Sequence, residues 1–114
     1  MFNNELEEQL FKSLICFYDK EANNLLRFEW EDNTVIEAYI DTFYETDNDI
    51  EMDENGYEEY HVCLICIKRV INISQSSLCN MGKKELEPNK LFEISYHNAP
   101  DKVYSIDNRV IWRK

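Results

Sequence analysis

The side chains best suited to chemistry crowd one stretch of the chain. Asp41, Glu45, Asp47, Asp49, Glu51, Asp53, Glu54, Glu58 and Glu59 supply nine carboxylates with no Lys or Arg among them. Phe43, Tyr44, Tyr57 and Tyr60 are interleaved, and His61 follows. Carboxylates beside a histidine can serve acid–base catalysis or hold a divalent cation. The alternation Asp47, Asp49, Glu51, Asp53 superficially matches an EF-hand loop, with Asn55 and Glu58 at the ninth and twelfth positions. The sixth position is Met52, where the sharp turn needs glycine, and no helix follows, so no metal ligand is assigned. The other histidine is His97. No Gly-rich nucleophile turn exists, and Gly56 and Gly82 are the only glycines, which leaves no phosphate-cradling loop. No catalytic residue and no cofactor is assigned, and both histidines read as structural or turn-forming.

Cysteine chemistry is equally sparse. Cys63 and Cys66 form a C-x-x-C, but within a strand pattern, where a spacing of three puts the side chains on opposite faces. A redox pair would open a helix instead. Cys16 and Cys79 add no zinc-like spacing, so all four read as reduced thiols, with the Cys63–Cys66 pair serving as small apolar groups.

The charge is lopsided. The net −11 divides into −15 for residues 1–60 (18 acids against Lys12, Lys20 and Arg27) and +4 for residues 61–114 (nine bases against five acids). The acidic half repels nucleic-acid phosphate and attracts a basic partner or a cation, although such charge also simply confers solubility. Lys83, Lys84, Lys90, Lys102, Arg109, Arg113 and Lys114 could line a nucleic-acid patch with Tyr96, Tyr104 and Trp112 stacking on bases. The plainer expectation is that they balance the acidic half or guard strand edges. No apolar run is long enough to span a bilayer, and the acidic N-terminus lacks an apolar signal region, so the expectation is a cytoplasmic protein.

The elements that position these residues follow from periodicity. Phe2, Leu6, Leu10, Leu14 and Phe17 recur at spacings of three and four, predicting a helix over about 3–20 with Asn3 or Asn4 as its cap. Leu14 to Tyr18 is also a continuous apolar run that a strand could use. The period then becomes two: strands are expected over about 25–30, 34–45, 57–73, 90–96, 103–106 and 109–113. In 34–45, strict alternation would put Ile36, Ala38, Ile40 and Tyr44 on one face and Glu37, Asp41, Phe43 and Glu45 on the other. Residues 46–54 form an exposed acidic loop, because a strand would bury unpaired carboxylates. Asn55-Gly56 is the strongest hairpin signal. Val62–Ile67, apolar on both faces, reads as a central strand, and Ser74 to Gly82 as a loop.

The predicted fold is α+β, mostly β: a single domain, 1–114, with the N-terminal helix packed on a strongly bent antiparallel sheet or small barrel of five to six strands. Leu26 to Asn48, with its Asp-Asn turn and Thr-Val-Ile-Glu-Ala-Tyr-Ile-Asp-Thr-Phe-Tyr strand, resembles the first half of an Sm-like barrel, Asp41 standing where that family has an Asp. Glu37 or Ala38 replaces the family's strand glycine and the second RNA-binding signature is missing, so the resemblance implies barrel-like topology only. As a short, acidic, aromatic-rich chain without a catalytic motif, the protein also resembles small bacterial toxin-immunity proteins, which implies binding to a toxin. The leading expectation is a non-enzymatic module that docks a basic protein through Asp41, Phe43, Tyr44, Glu45, Asp47, Asp49, Glu51, Asp53, Glu54, Tyr57, Glu58, Glu59 and Tyr60. The rivals are a hydrolase or metal-dependent enzyme in which the loop carboxylates converge with His61, and an RNA-binding Sm-like barrel.

Overall fold

A computed structural model describes residues 2–21, 23–73 and 87–114. Cys79, Lys83, Lys84 and the loop expected from Ser74 to Gly82 lie outside the described residues.

Helix α1 runs Glu5–Glu21. Its start is fixed chemically: the Glu7 backbone N–H donates to Asn4 Oδ1 (2.8 Å), and the Asn3 N–H donates back to Glu7 Oε1 (2.7 Å). This is a capping box displaced by one residue at its return bond. Leu10, Phe11 and Leu14 are fully buried and Phe17 nearly so. Each contributes about 1.5–3 kcal/mol by burial, against a few tenths (~0.3–0.5) for an exposed pair such as Glu8–Lys12, so packing holds the helix. Leu14 to Tyr18 is helical, not a strand.

The strands are β1 (Leu26–Glu29), β2 (Val35–Asp47), β3 (Glu59–Asn72), β4 (Leu91–Ile94), β5 (Lys102–Ser105) and β6 (Val110–Arg113), all antiparallel in the order β4-β3-β2-β1-β5-β6. Asn33 closes the β1–β2 turn at φ 72°, a conformation that Asn accepts. Seven residues, 95–101, carry the chain from β4 to β5, four positions across the sheet. A flat sheet would separate these strands by about 19 Å, and seven extended residues reach about 25 Å. Ser95 to Asn98 is itself a tight turn (Asn98 N–H to Ser95 O, 3.3 Å), so the sheet must curl to close the distance. The Trp30 indole N–H donates to Asn98 O at 2.7 Å and ties the curl. The sheet does not close: among the described residues β4 and β6 remain its edges. The barrel expectation thus gives way to an open, bent sheet, with α1 over its concave core of Phe28, Ile36, Ala38, Ile40, Ile65, Ile67, Ile94 and Val103.

Two further expectations are corrected. The β2–β3 register slips between Ile40 and Thr42, where Asp41 is an extra residue. Such a bulge reverses the alternation beyond it. Phe43 therefore faces α1, edge-on to Phe11 (6.3 Å) and Tyr18 (5.6 Å), and Tyr44 does not share a face with Ile36, Ala38 and Ile40. Asn55-Gly56 does not make a two-residue turn either. Gly56 has φ 88°, but the hairpin is closed earlier by Asn48, whose Nδ2 donates to Gly56 O (2.7 Å) and whose Oδ1 accepts from the Glu58 N–H (3.2 Å). Asn48 stabilises the wider loop that the repelling carboxylates require.

Candidate functional site: a carboxylate and tyrosine surface

The end of the β2–β3 hairpin carries the nine carboxylates. Asp41, Glu45, Asp47, Asp49, Glu51, Asp53, Glu54 and Glu59 are exposed, and Glu58 is half-buried. Elsewhere six acids meet Lys or Arg: Glu8–Lys12, Glu21–Arg109, Glu29–Arg27, Glu37–Arg69, Glu87–Lys90 and Asp101–Lys114. Among the described residues, the ion-pair contacts of the nine are with histidines, Glu45–His61 at 3.5 Å and Glu58–His97 at 2.8 Å.

The tyrosines are bound into this surface as donors. Tyr57 Oη donates to Glu59 Oε1 at 2.6 Å, which holds its hydroxyl pKa up at about 12. Tyr96 Oη donates to Glu58 Oε2 while His97 Nε2 meets Glu58 Oε1. Burial first, then that carboxylate, pushes Tyr96 up to about 12. Tyr44 is also pushed to about 12, by burial and then by its hydrogen bond to Glu93. Tyr60 lies edge-on to Tyr96 (6.4 Å) and His97 (4.8 Å).

Of the sequence-predicted docking residues, the structure brings Tyr44, Glu58 and Tyr60 into one cluster. Asp47, Asp49, Glu51, Asp53 and Glu54 ring the loop beyond it. Asp41 sits at the bulge, and Phe43 is taken up by the helix. Sequence reasoning missed Glu93, Tyr96 and His97 as members of this surface. They arrive through β4, where Glu93 pairs with Leu64, and nothing local in the sequence announces that.

His61 has a different task. It lies between Phe2 (4.5 Å) and Phe11 (5.8 Å), and its backbone N–H donates to Glu7 Oε2 at 3.0 Å. Glu7 is fully buried and so joins the helix cap to β3. The spacing Asn4-x-x-Glu7 was the available signal for this link. The pocket of about 270 Å³ beside His61 is lined by Phe11, Ile15, Phe43, Tyr44, Glu45 and Val62. Asp47, Asp49 and Glu51 do not line it, so the convergence required by the hydrolase or metal-dependent reading is not formed. Among the described residues no group of three or more His, Cys, Asp or Glu side chains is placed to hold a metal ion.

Among the described residues, the basic side chains do not assemble a stacking face with the expected aromatics. Trp112 is buried, Tyr104 lies under Arg27 (4.7 Å), and Arg109 and Lys114 sit in ion pairs with Glu21 and Asp101. No helix among the described residues is long and apolar enough to cross a membrane.

No curated protein and no solved structure matches the chain. A family model does match, over residues 6–114, a span that takes in α1 from its first turn, the whole sheet and the acidic hairpin. On that match the chain belongs to the family described as cognate immunity protein YxxD.

Proposed function

We propose that this immunity protein neutralises its cognate toxin without catalysis, by docking the acidic end of the β2–β3 hairpin on a basic surface of the toxin. The observation that carries this reading is the contrast in pairing. Among the described residues six acids elsewhere form ion pairs with Lys or Arg, whereas none of the eight exposed carboxylates of 41–59 does, Glu45 meeting only His61. Complementary charge of this kind raises the association rate and selects the partner, while nearby aromatics supply contact area. The reading places the encounter in the cytoplasm, where free thiols such as Cys16, Cys63 and Cys66 persist.

The test begins with the toxin, identified as the neighbouring gene product that arrests growth when expressed alone. Co-expression of the wild-type chain should restore growth. A variant with Asp47, Asp49, Asp53→Asn and Glu51, Glu54→Gln should bind about tenfold or more weakly, chiefly through slower association. Binding should also weaken as salt shortens the screening length from about 10 Å at 0.1 M towards 3 Å at 1 M. Affinity indifferent to both changes would remove the reading.

A further inference from the structure

The face of the sheet turned away from α1 is unevenly neutralised. Along β1, Leu26 and Phe28 point to the core, so Arg27 and Glu29 stand on the opposite face. There Arg27 lies over the Tyr104 ring at 4.7 Å, donates through Nε to Glu29 Oε2 (2.7 Å) and through Nη1 to Asn108 Oδ1 (3.0 Å). Guanidinium, tyrosine ring and carboxylate form one unit. At the β2–β3–β4 end the same two acceptor components recur. Tyr60, Val62 and Leu64 alternate away from Cys63 and Ile65, and their cross-strand neighbours include Tyr44 on β2 and Glu93 on β4. Tyr96 and His97 close the group from the turn after β4, with Glu58 between them. Here the chain supplies tyrosine rings and carboxylates but, among the described residues, no guanidinium in an ion pair with Glu58 or Glu93.

We propose that Tyr44, Tyr60, Tyr96 and His97, with Glu58 and Glu93, form the seat for an arginine side chain of the cognate toxin. The inference rests on the docking reading above and names its central contact. Arginine fits better than lysine. Its planar guanidinium stacks on a tyrosine ring and offers five donors in a fork, which can serve two carboxylates at once. The Tyr96 hydroxyl already donates to Glu58, which leaves its ring as the contact surface. Carboxylates retain further lone pairs after accepting one bond per oxygen. The negative potential converges here as well. Tyr60 has its pKa raised by burial and then by Glu93, Asp49, Glu58 and Asp47, four charges from three separate segments. Tyr44 is 37% exposed, so the seat is reachable from solvent.

The test uses the full chain and two capped peptides of equal charge, hexa-arginine and hexa-lysine, titrated by calorimetry at low salt. The arginine peptide should bind about fivefold or more tightly than the lysine peptide. Glu93→Gln and Tyr60→Leu should each reduce that preference towards unity. Asp53→Asn with Glu54→Gln, at the loop tip, should weaken both peptides alike. Glu93 lies outside the 41–59 stretch, so its effect separates the seat from general acidity. Equal affinities for the two peptides, or a preference untouched by Glu93→Gln, would overturn the seat and leave hairpin docking standing. Binding of neither peptide would overturn the seat too, and growth rescue would then judge the docking reading alone. Should Tyr60→Leu fail to fold, Glu93→Gln, at an exposed position, decides the matter.

Discussion

Glu7→Gln isolates the one buried carboxylate that joins the helix to the sheet. Glu7 is fully buried, and its two oxygens accept from different elements: Oε1 from the Asn3 N–H at 2.7 Å and Oε2 from the His61 N–H at 3.0 Å. An amide keeps the shape but turns an NH₂ towards one of these donors. An unsatisfied buried N–H costs about 1–3 kcal/mol. Loss of the negative charge at the helix N-terminus costs about 0.3–1 kcal/mol more. Relief from no longer burying an ion offsets part of this sum. The expected net loss is about 2 kcal/mol, or about 8 °C in Tm for a chain of this size. Glu7→Ala strands both donors and removes the reciprocal cap. Its cost of about 3–4 kcal/mol approaches the lower end of a domain's ~5–15 kcal/mol. The control is Glu8→Gln, whose exposed pair with Lys12 should matter by less than about 0.5 kcal/mol. Urea unfolding followed by tryptophan fluorescence measures all three, with the m-value unchanged for Glu7→Gln. If Glu7→Gln proves as mild as Glu8→Gln, the carboxylate is not the link described here.

Neighbouring aromatics on β2 should behave in opposite ways. Phe43→Ala removes a ring packed on Phe11 and Tyr18 and should cost about 2–3 kcal/mol in urea unfolding. Tyr44→Ala should cost about 1 kcal/mol or less in stability yet weaken toxin binding measurably. The tyrosine–carboxylate bonds also predict alkaline behaviour. Tyr96 rises from 10.0 to about 12 on folding, because burial and then Glu58 disfavour the phenolate. The folded state then holds a proton that the unfolded state has lost. Its stabilisation is complete below pH 10 and vanishes as pH rises through about 12. The urea midpoint should fall across that window, and less steeply in Tyr96→Phe. An equal slope in the two proteins would refute the assignment.

What the sequence makes legible divides along the range of the interactions. Spacing of Leu10, Leu14 and Phe17 announces α1, because helical periodicity is a local property. The acidic loop is legible for a similar reason, since no strand could bury Asp49 and Asp53 unpaired, although β2 runs on through Thr46 and an exposed Asp47 that were expected in the loop. The Asp41 bulge is not legible, since an extra residue in β2 is defined only against its partner β3. Nor is the contribution of Glu93, Tyr96 and His97, which depends on β4 pairing with β3 across a long stretch of chain. The bulge has the larger consequence. Without it, alternation from Ile40 would send Tyr44 towards Phe11 and put Phe43 on the opposite face, where an apolar ring has no hydroxyl to engage Glu93. Looping Asp41 out of the ladder thus decides which aromatic packs against the helix and which lies among the carboxylates. A variant lacking Asp41 loses the extra residue itself, so Phe43 stays opposite Cys63 and Tyr44 opposite Val62, and the tyrosine seat should survive the deletion; loss of arginine-peptide preference in that variant would refute this account of the bulge.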